Sequence, residues 1–417
     1  MNSLEQKNLS SIDSVISNDD LVTEILLRLP AKSVLKFKLV SKKWLTIISD
    51  STFAMRHTHL NPHNTSAFLL KLSFFFKQPP SYKRVSLLGQ SLANVPLPSD
   101  FLHFDPNKPG RTYICQSSNG LLLCSKWRRY SAERSGPTYY VYNPTARQFA
   151  VLPSPPGHGF RFNWIQLVFD PSKSPHYQVV CTHFFNSKLE IQVYSSETKG
   201  WKISVKQENF DSLYVKFANG VFWNGAIHWI SLMGNGFSFL LDKEYLQTIP
   251  RPPLPENWQT QNFGYFGASA GHLHFIGFVA GNKNPDDLNM GISSPTMSTD
   301  QMVNSSSANI CNDETIVVYA MEKGCSKWFV KCCLHLDAIV MACSEIIEDP
   351  TLSPFSVKVL SFIEGNNETG PLLVMKVPGK IMSYSFKDKS FKNIFRFAPF
   401  RRASCYAFNY VETLAWV

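Results

Sequence analysis

At 417 residues, with 44% hydrophobic and 17% charged side chains, the chain can build two or three average domains or one large all-β unit, which excludes a chain disordered throughout. Its formal net charge of +10 raises nucleic acid or an acidic protein as a partner. No apolar run approaches the roughly 18 residues of a membrane span, residues 1–15 lack the apolar centre of a secretory signal, and nine scattered cysteines without C-x-x-C spacing argue against a metal cofactor, so reduced thiols in a cytoplasmic or nuclear protein are expected.

Residues 1–14 are polar and are expected to be a disordered tail. Apolar residues then recur at helical spacing: Leu21, Ile25 and Leu29 form one stripe, with Val22 and Leu26 beside it. Ser17 and Asp20 stand in capping-box spacing, and Pro30 is expected to end this helix at Leu29, because it restricts the residue before it and has no N–H. Ser33 is the expected cap of a second helix holding Val34, Leu35 and Leu39. Ser41 is the expected cap of a third, with Val40, Trp44 and Ile48 on one face. Three such short helices cannot bury these groups among themselves, so some need apolar surface elsewhere, on the downstream domain or on a partner. Arg28, Lys32, Lys36, Lys38, Lys42 and Lys43 fall here without a carboxylate among them, a face suited to steering an acidic partner.

The segments DLVTEILLRLP, KSVLKFKLVSKKW and ISDSTFAMRHTHL resemble the F-box of plant proteins, over residues 15–60. The departures are Ser17-Asn18 where a Leu-Pro pair usually opens the motif, and Ser41 where a cysteine is frequent. The resemblance implies docking on a Skp-type adaptor, and through it on a cullin and a RING protein. Carried over position by position, the adaptor contacts would be Leu21, Ile25, Leu26, Leu29, Pro30, Leu35, Val40 and Trp44, with the division between partner-facing and internal residues left open.

Asn61-Pro62-His63-Asn64 marks a boundary, after which short strands alternate with Pro, Gly, Asn and Asp. A repeat is visible there. YNPTARQF at 142–149, YSSETKGW at 194–201, FLLDKEYL at 239–246 and YSFKDKSF at 384–391 each set two large apolar residues seven positions apart across a polar turn, and YAMEKGCSKW at 319–328 does so with two extra residues. SNGLLLC, WNGAIHW and SAGHLHF each place a Gly-ended turn before a short apolar strand. Together these make four strands per unit, the content of a propeller blade. At about 50 residues per blade the region 66–417 gives six blades, or seven, with a β-sandwich or a pair of barrels as the alternative arrangement. The closing segment CYAFNYVETLAWV is expected to complete the ring with strands from 66–88. The polar stretch 281–314 is expected to be a disordered insert. YVYNPTARQFAVLP, VFDPSKSPHYQVV, YSSETKGW and NGAIHWI resemble the F-box-associated or kelch-like domain of plant F-box proteins.

No catalytic site is indicated. Gly267 to Gly271 spells G-x-S-x-G, but a strand follows instead of the helix that a nucleophile elbow needs. His272 and His274 alternate onto one strand face at a spacing compatible with metal ligation, without a third ligand nearby in sequence, so packing is the expectation. The reading is a non-catalytic substrate receptor of an SCF (Skp–cullin–F-box) ubiquitin ligase without cofactors. Trp127, Arg128, Arg129 and Trp164 are candidate loop contacts to its unidentified target protein. The alternatives are a propeller scaffold with a degenerate F-box and a basic nucleic-acid-binding protein.

Overall fold

The computed structural model describes residues 15–61, 67–73, 80–86, 97, 101–102, 111–127, 136–157, 163–211, 215, 217–280, 314–324, 327–343, 357–365, 367–396 and 404–417. The tail 1–14, the breaker residues 62–64 and positions 281–313 of the expected insert lie outside these, whereas Glu314 opens a strand. The α-helices α1 Asp19–Leu27, α2 Ala31–Phe37, α3 Lys42–Ile48 and α4 Ser51–Leu60 come first, and α5 Leu336–Ala342 is the single later α-helix among the described residues. The strands form six antiparallel sheets, the six-bladed all-β propeller that the repeat predicts.

Local chemistry sets the helix ends differently from three expectations. Asn18, not Ser17, caps α1: its carboxamide oxygen accepts from the amides of Asp20 (3.0 Å) and Leu21 (3.2 Å). The helix stops at Leu27, two residues short of Leu29, and residues at the end of α4 and just past it take carbonyls left there. Asn61 donates to Leu27 O (2.8 Å), and His57 Nε2–H donates to Leu29 O (2.8 Å). Pro30, with φ −57°, then takes the N-cap position of α2, which leaves Ser33 inside that helix and Leu39 beyond it. Ser41 caps α3 as expected, accepting from the Trp44 amide at 3.1 Å. The fourth helix was not among those expected. Its buried Phe53, Ala54, His57 and Thr58 lie among polar residues, so the apolar period is weak, although the Asp50 cap that accepts from Thr52 N (2.7 Å) is a readable signal.

The chain divides into two compact units. The first contains the helices α1 to α4 and three sheets. One sheet joins β2 (Ser81–Ser86), β1 (Ala67–Ser73) and β23 (Ser404–Tyr410). The next runs β3 (Arg111–Ser118), β4 (Leu121–Trp127), β5 (Thr138–Asn143) and β6 (Gln148–Val151). The third runs β7 (Asn163–Val168), β8 (Gln178–Phe185), β9 (Lys188–Ser195) and β10 (Gly200–Gln207). β23 lies antiparallel to β1, from Ala67 opposite Tyr410 to Ser73 opposite Ser404, so the closing segment meets the first strands as expected. The second unit holds β11 (Val221–Trp223) to β14 (Tyr245–Ile249), β15 (Phe263–Ser269) to β18 (Phe329–His335), and β19 (Lys358–Ile363) to β22 (Ser390–Arg396). Adjacent Cys332 and Cys333 project into two different core clusters of this unit, as alternate strand positions must. The seven described cysteines are free thiols.

The repeat has a conformational basis. The sixth residue of each hairpin (Arg147, Lys199, Glu244, Gly324 and Lys389) has a positive φ between 51° and 81°, though only one is glycine. Hydrogen bonding at the turn start helps hold this geometry: Asn143 accepts from the amides of Thr145 and Ala146, and Ser195 from those of Glu197 and Thr198. The terminal tryptophan has a second task. Trp201 donates to Pro153 O (2.9 Å) and Trp328 to Pro250 O (2.7 Å), in each case a proline just past the last strand of the preceding sheet. Two of the five hairpins thereby stitch themselves to the sheet before.

Gly120 has φ +90°, and a Cβ there would lie 2.6 Å from the Thr413 side chain, whereas Gly157 has φ +83° and open space. Gly157→Ala is therefore expected to cost about 1–2 kcal/mol from the left-handed backbone alone. Gly120→Ala should cost about 1–3 kcal/mol more by forcing 411–417 outward. Urea unfolding of the two variants, compared with the parent chain, measures the difference.

Candidate functional site

The helical module sorts its apolar residues by the face each helix turns inward. Val22, Leu26, Leu27, Ala31, Val34, Ile48, Phe53 and Ala54 form one buried cluster, joined by Leu414 from the segment after β23. Leu26 is 1% exposed, so it belongs to this core and is withdrawn from the expected adaptor contacts; its side chain points away from the Leu21 face. Leu29, Leu35 and Trp44 are half-buried against the same cluster, Trp44 with its ring 5.3 Å from that of Phe37. Pro30 is exposed.

What remains outside is apolar. Leu21 is 46% exposed, Ile25 52%, Leu39 90% and Val40 60%, and Ile16 and Leu45 are also exposed. Lys43 of α3 pairs with Asp19 and donates to Ser17 O (2.9 Å), which holds the start of α3, just after Leu39-Val40, against the first turn of α1. The first turn of α1 and the start of α3 thus sit beside one another. Leu39 was expected inside a helix. Its Leu-Val context was legible, but its exposure follows from where α2 stops.

The basic run is largely engaged within the fold. Arg28 pairs with Glu24 (2.6 Å), Lys32 with Glu412 (2.5 Å) and Lys43 with Asp19, while Lys38 lies 4.6 Å from the Trp416 ring centre and burial lowers its pKa. Lys36 and Lys42 remain as exposed cations for steering.

Two of the candidate target contacts, Trp127 and Trp164, are placed on strands, not loops. Trp127 ends β4 and is 54% exposed, and Trp164 is half-buried in β7, next to Asn163, which pairs with His183 (2.7 Å). Regular pairing with β3 and β8 accounts for the difference. Arg128 and Arg129 lie outside the described residues. The helical module contacts the opposite end of these sheets: α4 residues Ala54, Met55 and Thr58 share a small cleft with Phe169, Pro171, Thr413 and Trp416.

The two histidines of β16 (His272–Ala280) have a partner that the sequence spacing hid. Glu364, just past β19, accepts from His272 Nδ1–H (2.7 Å) and His274 Nε2–H (3.1 Å), and pairs with Lys331. Burial by itself would raise the Glu364 pKa, but the bonds from His274 and Lys331 outweigh it and hold it down at about 2. A carboxylate already shared by two imidazoles and an ammonium ties β16, β18 and the end of β19 together. Among the described residues no three His, Cys, Asp or Glu side chains are placed to hold a metal. Ser269 of the G-x-S-x-G match sits at a hairpin and accepts from the Glu364 amide (3.1 Å). No helix among the described residues is long and apolar enough to cross a membrane.

His57 and Glu364 are among the groups that make stability depend on pH. Burial lowers the His57 pKa below its usual 6.5, so the fold keeps it neutral while the unfolded chain takes up a proton. Its contribution is complete above pH 6.5 and declines as pH falls below it. Glu364 contributes fully above 4.5, and its contribution disappears between 4.5 and about 2. In His57→Gln the amide still reaches Leu29 O and does not titrate. This variant is expected to lose less stability than the parent between pH 7 and 5, read from urea midpoints at each pH.

Comparison with known proteins bears on this face. Residues 18–55 match the F-box domain, and residues 70–263 match the F-box associated beta propeller domain. The second match does not speak of kelch repeats, and it stops at 263 although the sheets continue to Tyr410. The chain is 29% identical over 409 residues to the F-box protein At5g07610 of Arabidopsis thaliana, covering 92% of this chain and 87% of that protein. It is 25% identical over 263 residues to the F-box protein At2g43440 of the same plant, covering 62% of this chain and 59% of the relative, less than two thirds of its length. Among solved structures, TolB from Acinetobacter baumannii is similar at 10% identity and a TM-score of 0.42, over 86% of this chain and 72% of that one, a likeness too loose to carry a conclusion.

Proposed function

We propose that this chain, which carries an F-box domain followed by an F-box associated β-propeller, is the substrate-recognition subunit of an SCF ubiquitin ligase. The F-box docks on a Skp-type adaptor, and the propeller presents a target protein. The chain breaks and forms no bonds itself; it holds a target lysine near the charged conjugating enzyme. The observation that carries the reading is the apolar face of Leu21, Ile25, Leu39 and Val40, left uncovered while the other half of the same helices is sealed.

The magnitudes suit this role. Burying one such side chain fully is worth about 1.5–3 kcal/mol, and these are already partly covered, so each yields less. Association costs at least about 4 kcal/mol, so several anchors must act together. Leu21, Ile25, Leu39 and Val40 are the anchors proposed, with the exposed edges of Leu29, Pro30, Leu35 and Trp44 completing the contact. Leu26 acts from beneath, as core.

Leu21→Asp with Ile25→Asp, co-expressed with a Skp-type adaptor and a cullin, is expected to reduce co-purification of both at least about tenfold, since two desolvated charges replace two anchors, while the urea midpoint of the chain stays put. Leu26→Asp should instead unfold the helical module, shown by loss of protection of α1 amides from exchange. Full co-purification of the Leu21/Ile25 variant overturns the assignment. A second reading, a scaffold that recruits no ligase, draws on Asn18: the residue standing where a proline usually opens the motif is used up as the α1 cap. The same co-purification with the unmodified chain separates the two readings.

A further inference from the structure

The net charge is not spread over the chain. Residues 67–151 hold eleven Lys and Arg against three Asp and Glu, which accounts for eight of the ten net positive charges. Within the structure the asymmetry is complete: the seven strands β1 to β6 and β23 contain no carboxylate, and they carry Lys71, Lys83, Arg84, Arg111 and Lys126. These strands make two sheets of the first unit.

Strand direction sorts these cations. Ala67, Ser118, Leu121 and Tyr410 lie at the end where 411–417 and the helical module pack, and there Arg84 is taken by Glu412 and by the Tyr410 ring. Ser73, Arg111, Trp127 and Ser404 lie at the far end, about 20 Å away at 3.3 Å per residue. Toward that end Lys71 stands directly opposite Tyr406, and its ammonium lies 5.7 Å from that ring and 5.4 Å from the ring of Tyr113. Arg111 is opposite the exposed Trp127. Among the described residues neither Lys71 nor Arg111 has an acidic partner.

We propose that this end of the two sheets binds an Asp- and Glu-rich segment of the target protein. The proposal rests on the substrate-receptor reading and names the chemistry of the substrate. Lys71 is oriented by two aromatic faces, and Arg111 is set beside an exposed indole. Lys71 held this way surrenders little rotamer freedom on pairing, and the exposed Trp127 and Tyr406 rings supply apolar contact alongside the charge. Nucleic acid fits less well, because it needs a phosphate-tracking groove of many cations, and outside 67–151 the chain is close to neutral.

The test uses the full chain and three fluorescent probes: a twelve-residue Glu-rich peptide, the same peptide with Gln for Glu, and an oligothymidine. Anisotropy is expected to show binding of the Glu peptide that weakens at least about fivefold between 50 and 200 mM salt, with the Gln peptide bound at least about tenfold more weakly. Lys71→Glu with Arg111→Glu should weaken the Glu peptide at least about tenfold. Lys71→Gln with Arg111→Gln repeats the test should the reversals unfold the sheets, and Lys173→Glu, at the helical end, should leave binding unchanged. Equal binding of the Glu and Gln peptides, indifference to both double substitutions, or tighter binding of oligothymidine overturns the proposal. Adaptor co-purification is scored on the same preparations. Peptide binding without adaptor binding defeats the ligase reading and leaves this face standing, and adaptor binding without peptide binding does the reverse.

Discussion

The pairing of β1 with β23 is the constraint on which the first unit rests. It joins strands from the two ends of the propeller sequence, so it carries the entropy of closing a very long loop. Its by-product decides the geometry of the helical module. Because β1 begins where β23 ends, α4 and the segment 411–417 emerge at the same sheet end. That segment is then used fully. Leu414 enters the helical core, Glu412 pairs with Lys32, Trp416 lies under Lys38, and Asn143 donates to the carbonyls of Thr413 and Ala415. Gly120 is what lets the chain pass so close.

A module of four short helices cannot seal all its apolar residues, and the fold divides them instead of compromising on each. One side of α1 closes over Phe53 and Ile48, completed by Leu414 from outside the module. The other side stays open to solvent. The helix ends serve the same division: His57 and Asn61 satisfy the carbonyls that α1 leaves behind, so the turn at Pro30 needs no partner protein to be stable. A face supported this way is already formed before anything docks on it, which lowers the ordering cost of association.

The strand repeats follow a comparable economy. Hairpins of quite different sequence reach the same left-handed turn position, and the tryptophan that closes two of them also holds the preceding sheet through a carbonyl. Elsewhere the tie runs through a carboxylate, where Glu364 collects His272, His274 and Lys331 into one partly buried group. Glu364 supplies one partner to each of the three, while among the described residues the buried Nδ1 of His274 has none, so the group stabilises less than a fully satisfied one would.

The amino-acid sequence by itself determined the first three short helices, the Ser41 cap, the strand repeat, a count of six sheets or seven and the return of the closing segment to the first strands. These follow from periodicity and turn chemistry, which act over a few residues, or from counting repeats. It did not determine the Asn18 cap, the early stop of α1 or the helix α4, because α4 has little apolar period, and Asn61 and His57, which take carbonyls past the end of α1, lie just past it and on it. Nor could it say that Leu26 faces inward while Leu21 faces out, or that Trp127 and Trp164 lie in strands. It could not say that Glu364 stands between two histidines some ninety residues earlier, or that Lys71 rests on Tyr406. Each of these depends on which surfaces meet once the sheets have closed. A local pattern states that a residue will be buried or paired, and only the closed fold names its partner.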